Sequence, residues 1–299
     1  MNQVQRSFGR TLGGAIVLGI GVMFAGTMPR NIFFAANLRW LTHTPWAVPV
    51  TAAYLWWLWR YLDGTTGDPS TRAFRRDSLR ARTVPARLWV WALLAGGAAI
   101  AALVLGLQVL NRFVVLPSQT LPDLSQIPRL TTWSLLLAAA PIAGFVEEAS
   151  FRGYMQTPIE REFGLAAVIV ITGTMFALVH LDFTWILWPY YLTVAAIYSS
   201  VTRLTNSVWP SIVLHTGGNL YSNIDLLLHG RAEWQARQHA VASFRTFGFD
   251  PSLVTLSWEL ALALAVTAWS FRGLARAGLA GRNVDASGPH PAGRGKIVV

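Results

Sequence analysis

Six polar residues interrupt the apolar stretches of this 299-residue sequence and are of types that can carry out chemistry together. They are Glu147, Glu148, Arg152, His180, His215 and Asn219. A charge near the centre of a bilayer helix costs roughly 2.5–3.5 kcal/mol on insertion scales. The segment from Glu147 to Arg152 carries three such charges in an otherwise apolar helical pattern, which indicates a functional site within a membrane helix.

The residue types restrict the reaction. The sequence has no cysteine, which excludes thiolate catalysis, disulfides and cysteine–metal sites. A glutamate and a neutral histidine can hold and deprotonate a water molecule, and a histidine with an asparagine amide can donate hydrogen bonds to an oxyanion. Alternatively, two histidines and a glutamate could bind zinc and leave a position for water. Both arrangements predict hydrolysis of an acyl bond, most naturally a peptide bond.

The spacing of the polar residues places them in pairs. Residues four apart share a helix face, so Glu148 pairs with Arg152, and His215 with Asn219. Arg152 would balance the glutamate pair, because two adjacent carboxylates in a low dielectric resist joint ionisation. At a rise of 1.5 Å per residue, Glu148 and His180 lie roughly 18 and 24 Å from the loop that joins their helices. We therefore expect the two to meet within the bilayer.

The elements that must position these residues are apolar stretches long enough, or nearly so, to span a bilayer, which takes about 17–25 residues. There are eight, at residues 11–28, 44–61, 88–110, 132–155, 164–182, 183–202, 207–228 and 252–271. Only 13% of the residues are charged, against about 25% in an average soluble domain. The sequence thus predicts an all-α, polytopic transmembrane helical bundle of about eight spans.

Basic residues outside the spans predict the orientation of the bundle. They give a formal net charge of +10 and are concentrated near the N-terminus, between the second and third spans, and after the eighth. With eight spans these segments share one side, and the positive-inside rule places that side and both termini in the cytoplasm. Residues 1–280 are expected to form one domain, followed by a disordered cytoplasmic tail at 281–299. Topology explains the basic charge, and no nucleic-acid-binding motif is present.

The polar residues also match the pattern of a known family. Its three motifs resemble, in order, Glu147-Glu148-x-x-x-Arg152, Phe176-x-x-x-His180 and His215-x-x-x-Asn219. The family is that of the CAAX-protease and bacteriocin-processing (CPBP, or Abi) intramembrane proteases, whose eukaryotic members are type II CAAX prenyl endopeptidases. The resemblance covers about residues 131–224, which is the expected catalytic core.

This resemblance implies a division of roles among the first four residues. Glu147 corresponds to the glutamate proposed to activate water, and His180 to the histidine that assists it. Glu148 and Arg152 correspond to the pair that supports the first motif.

The resemblance further assigns His215 and Asn219 to stabilisation of the oxyanion. The family is often labelled as metalloproteases, yet a metal-free glutamate mechanism has also been argued for it. A divalent metal such as zinc, held by Glu147, His180 and His215, and a metal-free mechanism are therefore both open at this point.

We expect an integral membrane endopeptidase of the bacterial cytoplasmic membrane, surrounded by lipid and acting on a membrane-associated protein or peptide. CAAX-type processing and bacterial peptide processing both fit. A proton-coupled transporter is an alternative, because intramembrane glutamates, histidines and arginines also form proton relays. A non-catalytic membrane scaffold or immunity protein is another, in which the polar groups would hold helices together as ion pairs and interhelical hydrogen bonds.

Overall fold

A computed structural model describes residues 3–114, 126–181, 184–229 and 251–286 of the chain. Within these residues the structure contains helices and turns but no β-strand. The α-helices are α1 (Gln3–Arg39), α2 (Ala47–Leu62), α3 (Arg72–Leu79), α4 (Ala86–Leu110), α5 (Arg129–Glu148), α6 (Gln156–Val179), α7 (Trp188–Thr205), α8 (Trp209–His229) and α9 (Pro251–Ala286). A π-helical segment, Ala149–Met155, joins α5 to α6. The predicted all-α fold class is confirmed.

Several helices are long and apolar enough to cross a membrane. By length and composition they are Thr11–Arg39, Ala86–Leu110, Arg129–Val179 and Ser252–Leu279. The 16 residues of α2 fall just short of the roughly 17–25 that a span needs. The structure is therefore that of a transmembrane helical bundle, whereas the count of eight spans and the cytoplasmic termini stay predictions.

The first and last helices, α1 and α9, extend well beyond the predicted apolar stretches. The first stretch was expected to end at residue 28, but α1 continues to Arg39, where Asn37 closes the turn to α2 by accepting a hydrogen bond from the Ala47 amide at 2.9 Å. The last helix, α9, continues to Ala286. The predicted domain end at residue 280 thus falls inside a helix, and the rest of the predicted tail, 287–299, lies outside the described residues.

The chain reverses direction at Gly164, inside the long stretch Arg129–Val179. Gly164 has φ +77°, in the left-handed region that residues with a Cβ disfavour. In a straight helix, Phe151 and Phe176 would lie roughly 37 Å apart, but their ring centroids are 5.3 Å apart. The second half of α6 therefore packs back against the π-helical segment.

The π-helical segment lies at the centre of the bundle, and all seven of its residues are buried. Glycines in α1 allow that helix to approach it closely. A Cβ on Gly19 would lie 2.7 Å from Cε of Met155, and a Cβ on Gly26 would lie 2.4 Å from a methyl group of Val146. Such π-helical insertions occur frequently at functional sites, and this one lies directly after Glu148.

Close packing of α8 on α5 brings the motif that begins at His215 close to the motif that begins at Glu147. A Cβ on Gly144 would lie 2.4 Å from Oγ1 of Thr216, so only glycine fits at this crossing. Farther along the same pair, the Asn223 side-chain amide donates a 2.7 Å hydrogen bond to the Leu136 carbonyl. These contacts fix α8 so that His215 faces the end of α5.

Candidate active site

The centre of the site is a buried cluster of Glu148, Arg152 and His215. Nδ1 of His215 lies 2.8 Å from Oε1 of Glu148, and Nη1 of Arg152 lies 3.3 Å from the same oxygen. Glu148 and Arg152 are fully buried, and His215 is 6% exposed. The predicted pair of Glu148 and Arg152 is therefore present, and His215 of α8 joins it to form the cluster.

Glu147 lies on the other side of the same imidazole. Its Oε2 is 3.5 Å from Nε2 of His215, longer than an ordinary hydrogen bond. Because Nδ1 faces the carboxylate of Glu148, the proton of the neutral ring is assigned to Nδ1, and Nε2 is directed towards Glu147. His215 thus links the two adjacent glutamates through its two different nitrogens.

Aromatic rings enclose this cluster. The Tyr198 ring stacks on the His215 imidazole, with centroids 5.1 Å apart and planes inclined by 11°. The guanidinium carbon of Arg152 lies 5.2 Å from the Tyr198 ring centroid, 5.7 Å from that of Phe176 and 5.8 Å from that of Phe151. Cation–π attraction is stronger where water is excluded, so these rings help to hold the buried charge of Arg152 in place.

His180 is placed differently from the prediction. It forms the C-cap of α6, its side chain is exposed, and its Nδ1 donates a 2.8 Å hydrogen bond to the Phe176 carbonyl. Its ring lies 4.5 Å from that of Phe176 and 5.8 Å from that of Tyr191. Among the described residues it makes no hydrogen bond to Glu147 or Glu148. The expected meeting of His180 with the glutamates is therefore not seen, because α6 ends one turn beyond Phe176 and Phe176 occupies the side that faces Arg152.

Asn219 lies one helical turn after His215 on α8 and is half-buried. Residues at this spacing share a helix face, so the two side chains point to the same side of α8. The pair predicted from the sequence is therefore compatible with the fold.

The predicted metal ligands Glu147, His180 and His215 do not converge. In the described part of the chain, no three His, Asp or Glu side chains are grouped so as to hold a metal ion. Nδ1 of His215 is hydrogen-bonded to Glu148, and that of His180 to a backbone carbonyl, so each ring could offer only Nε2 to a metal. A zinc site therefore stays a prediction, and we assign no reaction step to a metal.

Arg30 of α1 is a charged neighbour of the site that the sequence did not suggest. Its guanidinium interacts electrostatically with Glu147 and lies 5.7 Å from the ring centroid of Phe34. Its Nε is buried and has no hydrogen-bond partner among the described residues. Charges within membrane helices are functional candidates, but Arg30 was counted outside the first predicted span, which ended at residue 28.

The two glutamates of the motif differ in their relation to a guanidinium. Glu148 forms an ion pair with Arg152 on the next turn of the same chain segment, whereas Glu147 has only a Coulomb interaction with Arg30 on α1. Tyr198 and Tyr191, which contact the histidines, were also not singled out from the sequence, because tyrosines in an apolar helix indicate packing as readily as function.

A comparison with known families supports the assignment made from the motifs. Residues 129–221 match the family model described as type II CAAX prenyl endopeptidase Rce1-like. The matched region begins at the start of α5, ends within α8 and contains all six polar residues, so the predicted family resemblance is confirmed. No curated protein and no solved structure matches the chain. Arg30 lies outside the matched region.

Proposed function

Since residues 129–221 carry a type II CAAX prenyl endopeptidase Rce1-like domain, we propose that the protein is an intramembrane endopeptidase. Its substrates would be membrane-associated proteins or peptides. The observation that carries the proposal is the position of His215 between two glutamates, at 2.8 Å from Glu148 and 3.5 Å from Glu147. A carboxylate and an imidazole that face one point can hold and deprotonate a water molecule, which is what hydrolysis of an amide needs.

Glu147 is the better candidate for the general base. Glu148 is fully buried and bound to Arg152 and His215, whereas Glu147 is 8% exposed. Oε2 of Glu147 and Nε2 of His215 are 3.5 Å apart. One water molecule can therefore lie at a hydrogen-bond distance of about 2.8 Å from both atoms. Glu147 would take a proton from this water as the water oxygen attacks the carbonyl carbon of the scissile bond.

Glu148 and Arg152 would act through His215. By accepting the hydrogen bond from Nδ1, Glu148 fixes the tautomer and the orientation of the imidazole. Arg152, which the aromatic rings enclose, forms an ion pair with Glu148 and thereby holds that carboxylate in place. A buried carboxylate orients a histidine in the same way in hydrolases that use a Ser-His-Asp triad.

The second half of the reaction needs donors for the oxyanion and a proton for the leaving group. The Asn219 amide, on the same face of α8 as His215, would donate a hydrogen bond to the oxyanion. As the carbon–nitrogen bond breaks, the proton held by Glu147 would pass to the leaving amine. His180, beside Phe176 at the exposed end of α6, would contact the substrate or its leaving group.

A cleavage assay on the purified protein in liposomes tests this proposal. Peptides that end in Cys-aliphatic-aliphatic-X, with and without an isoprenoid on the cysteine, would be compared with an unrelated membrane peptide, and products identified by mass spectrometry. The proposal expects cleavage of at least one class at an internal peptide bond, with loss of cleavage in Glu147→Gln.

The matched control is Glu162→Gln, which changes an exposed carboxylate of α6 and should leave cleavage unchanged. Cation uptake by the same liposomes without cleavage of any peptide would instead support the transporter alternative. Metal content of the active preparation, and inhibition by chelators, would decide between the zinc and the metal-free mechanisms.

A further inference from the structure

The positive-inside rule accounts for all the arginines between α2 and α4 in the sequence. In the structure, however, their side chains make different contacts. Arg75 is buried and donates hydrogen bonds to the carbonyl groups of Tyr61 and Thr66. Arg80 is also buried and forms a 2.8 Å ion pair with Glu160. These two side chains therefore hold the loop and α3 onto the rest of the bundle.

The side chains of Arg72 and Arg76 do not hold the loop or α3 onto the bundle in this way. They lie four residues apart on α3, on one face of the helix, and both are exposed. Neither side chain makes an ion pair or a hydrogen bond within the part of the chain that the structure describes. Both line a cavity of about 820 Å³ at the basic end of the bundle, together with Arg82.

Two carboxylates also line this cavity, but both are already engaged. Asp77 is shared between Arg82 at 3.2 Å and Arg161 at 2.7 Å. Asp63 accepts a 2.7 Å hydrogen bond from the Thr65 amide at the end of α2. The cavity is therefore positively charged on the side formed by α3.

Aromatic side chains also line the cavity. Trp59 and Trp209 both line it, and their ring centroids are 4.6 Å apart. Tryptophan is enriched at the level of the lipid headgroups, where a membrane borders water. The hydroxyl-bearing Thr65 and Thr83 complete the polar part of the lining. The cavity thus combines arginines and hydroxyl groups with the aromatic side chains of an interfacial site.

We propose that this cavity binds a phosphate group through Arg72 and Arg76. Guanidinium groups match the oxygens of phosphate in geometry as well as charge. The volume of the cavity falls within the range of ordinary small-molecule sites, about 300–1,000 Å³. The headgroup of an anionic phospholipid and free phosphate share this chemistry, and the interfacial tryptophans favour the headgroup. The proposal does not depend on the proposed proteolytic function.

Binding of phosphatidylglycerol to the purified full-length protein in detergent tests the proposal, with diacylglycerol, which has no phosphate, as the reference lipid. The test variant is Arg72→Gln/Arg76→Gln. The control is Arg87→Gln/Arg272→Gln, which removes the same charge from two exposed positions that do not line the cavity. We expect the test variant to bind phosphatidylglycerol about tenfold or more weakly than the wild type, and the control to bind within about twofold of it.

Two further arms complete the experiment. Competition by millimolar inorganic phosphate would identify free phosphate as a ligand of the cavity, and its absence would identify the lipid headgroup. The thermal unfolding midpoint of each variant without lipid shows whether the fold is retained. Equal weakening in both double variants, or equal binding of the two lipids by the wild type, would overturn the proposal.

Discussion

Nδ1 of His215 lies 2.8 Å from Oε1 of Glu148, and this contact gives the two adjacent glutamates different surroundings. Glu148 is fully buried and also pairs with Arg152 on the following turn. Glu147 is the glutamate left with partial exposure, facing the other nitrogen of the same ring at 3.5 Å. The proposed mechanism accordingly assigns Glu148 to the framework of the site and Glu147 to the water and the substrate.

The first prediction concerns the buried pair. Arg152→Met leaves the charge of Glu148 uncompensated, and removal of one partner of a buried pair costs roughly 3–5 kcal/mol. We expect the free energy of unfolding in detergent micelles to fall by about that amount. The double variant Arg152→Met/Glu148→Gln should be less destabilised than the sum of its single changes, because the orphaned charge is gone. Simple additivity would show that the two side chains are not coupled.

The second prediction separates the two histidines by their effect on stability. His215→Ala removes a donor from buried Glu148, which should lower the free energy of unfolding by roughly 1–3 kcal/mol. His180→Ala changes an exposed side chain and should stay within about 0.5 kcal/mol of the wild type. Under the proposed mechanism both should reduce peptide cleavage. Equal losses of stability in the same unfolding assay would contradict the positions described for the two rings.

The third prediction concerns Arg30, the charged neighbour of Glu147 on α1. Arg30→Ala should lower kcat/KM for peptide cleavage about tenfold, because the favourable Coulomb interaction with Glu147 is lost. Arg30→Lys keeps the positive charge and should retain most of the activity. Arg39→Ala, an exposed arginine of the same helix, serves as control. A lysine variant as inactive as the alanine variant would show that charge is not what Arg30 contributes.

The fourth prediction concerns the reversal of the chain at Gly164. Gly164→Ala should destabilise the protein by about 1–2 kcal/mol, which is the usual strain of a left-handed conformation with a Cβ. Nothing lies within 4 Å of the added Cβ, so the effect is one of backbone conformation alone. Gly97→Ala is the control, since Gly97 lies in α4 and its added Cβ also meets nothing within 4 Å. That change should be neutral or stabilise the helix by about 0.5–1 kcal/mol. Similar unfolding midpoints for the two variants would argue against the strained turn.

The sequence predicts the helices and the pairing of Glu148 with Arg152 well, because both depend on local patterns. Apolar length places the helices, and the four-residue spacing of Glu148 and Arg152 predicts their pairing, which the structure confirms at 3.3 Å. The break between the fourth and fifth stretches is confirmed at Gly164, where a left-handed residue was needed.

Contacts between helices distant in sequence could not be predicted in the same way. An even rise of 1.5 Å per residue placed His180 beside Glu148, but the close packing of α8 on α5 at Gly144 brings His215 there instead. The Coulomb interaction of Arg30 with Glu147 joins α1 to the end of α5, as does the close packing of Gly26 on Val146, and neither contact follows from local sequence spacing.

The division of roles between the two glutamates is the central claim, and initial rates of peptide cleavage test it most directly. In liposomes, Glu147→Gln should lower kcat by roughly 10²–10⁴-fold, the usual contribution of a general base, while its thermal unfolding midpoint stays within a few degrees of the wild type, as expected for a small change in stability. Glu162→Gln should match the wild type in both measurements. A Glu147→Gln variant that cleaves at the wild-type rate would contradict the account.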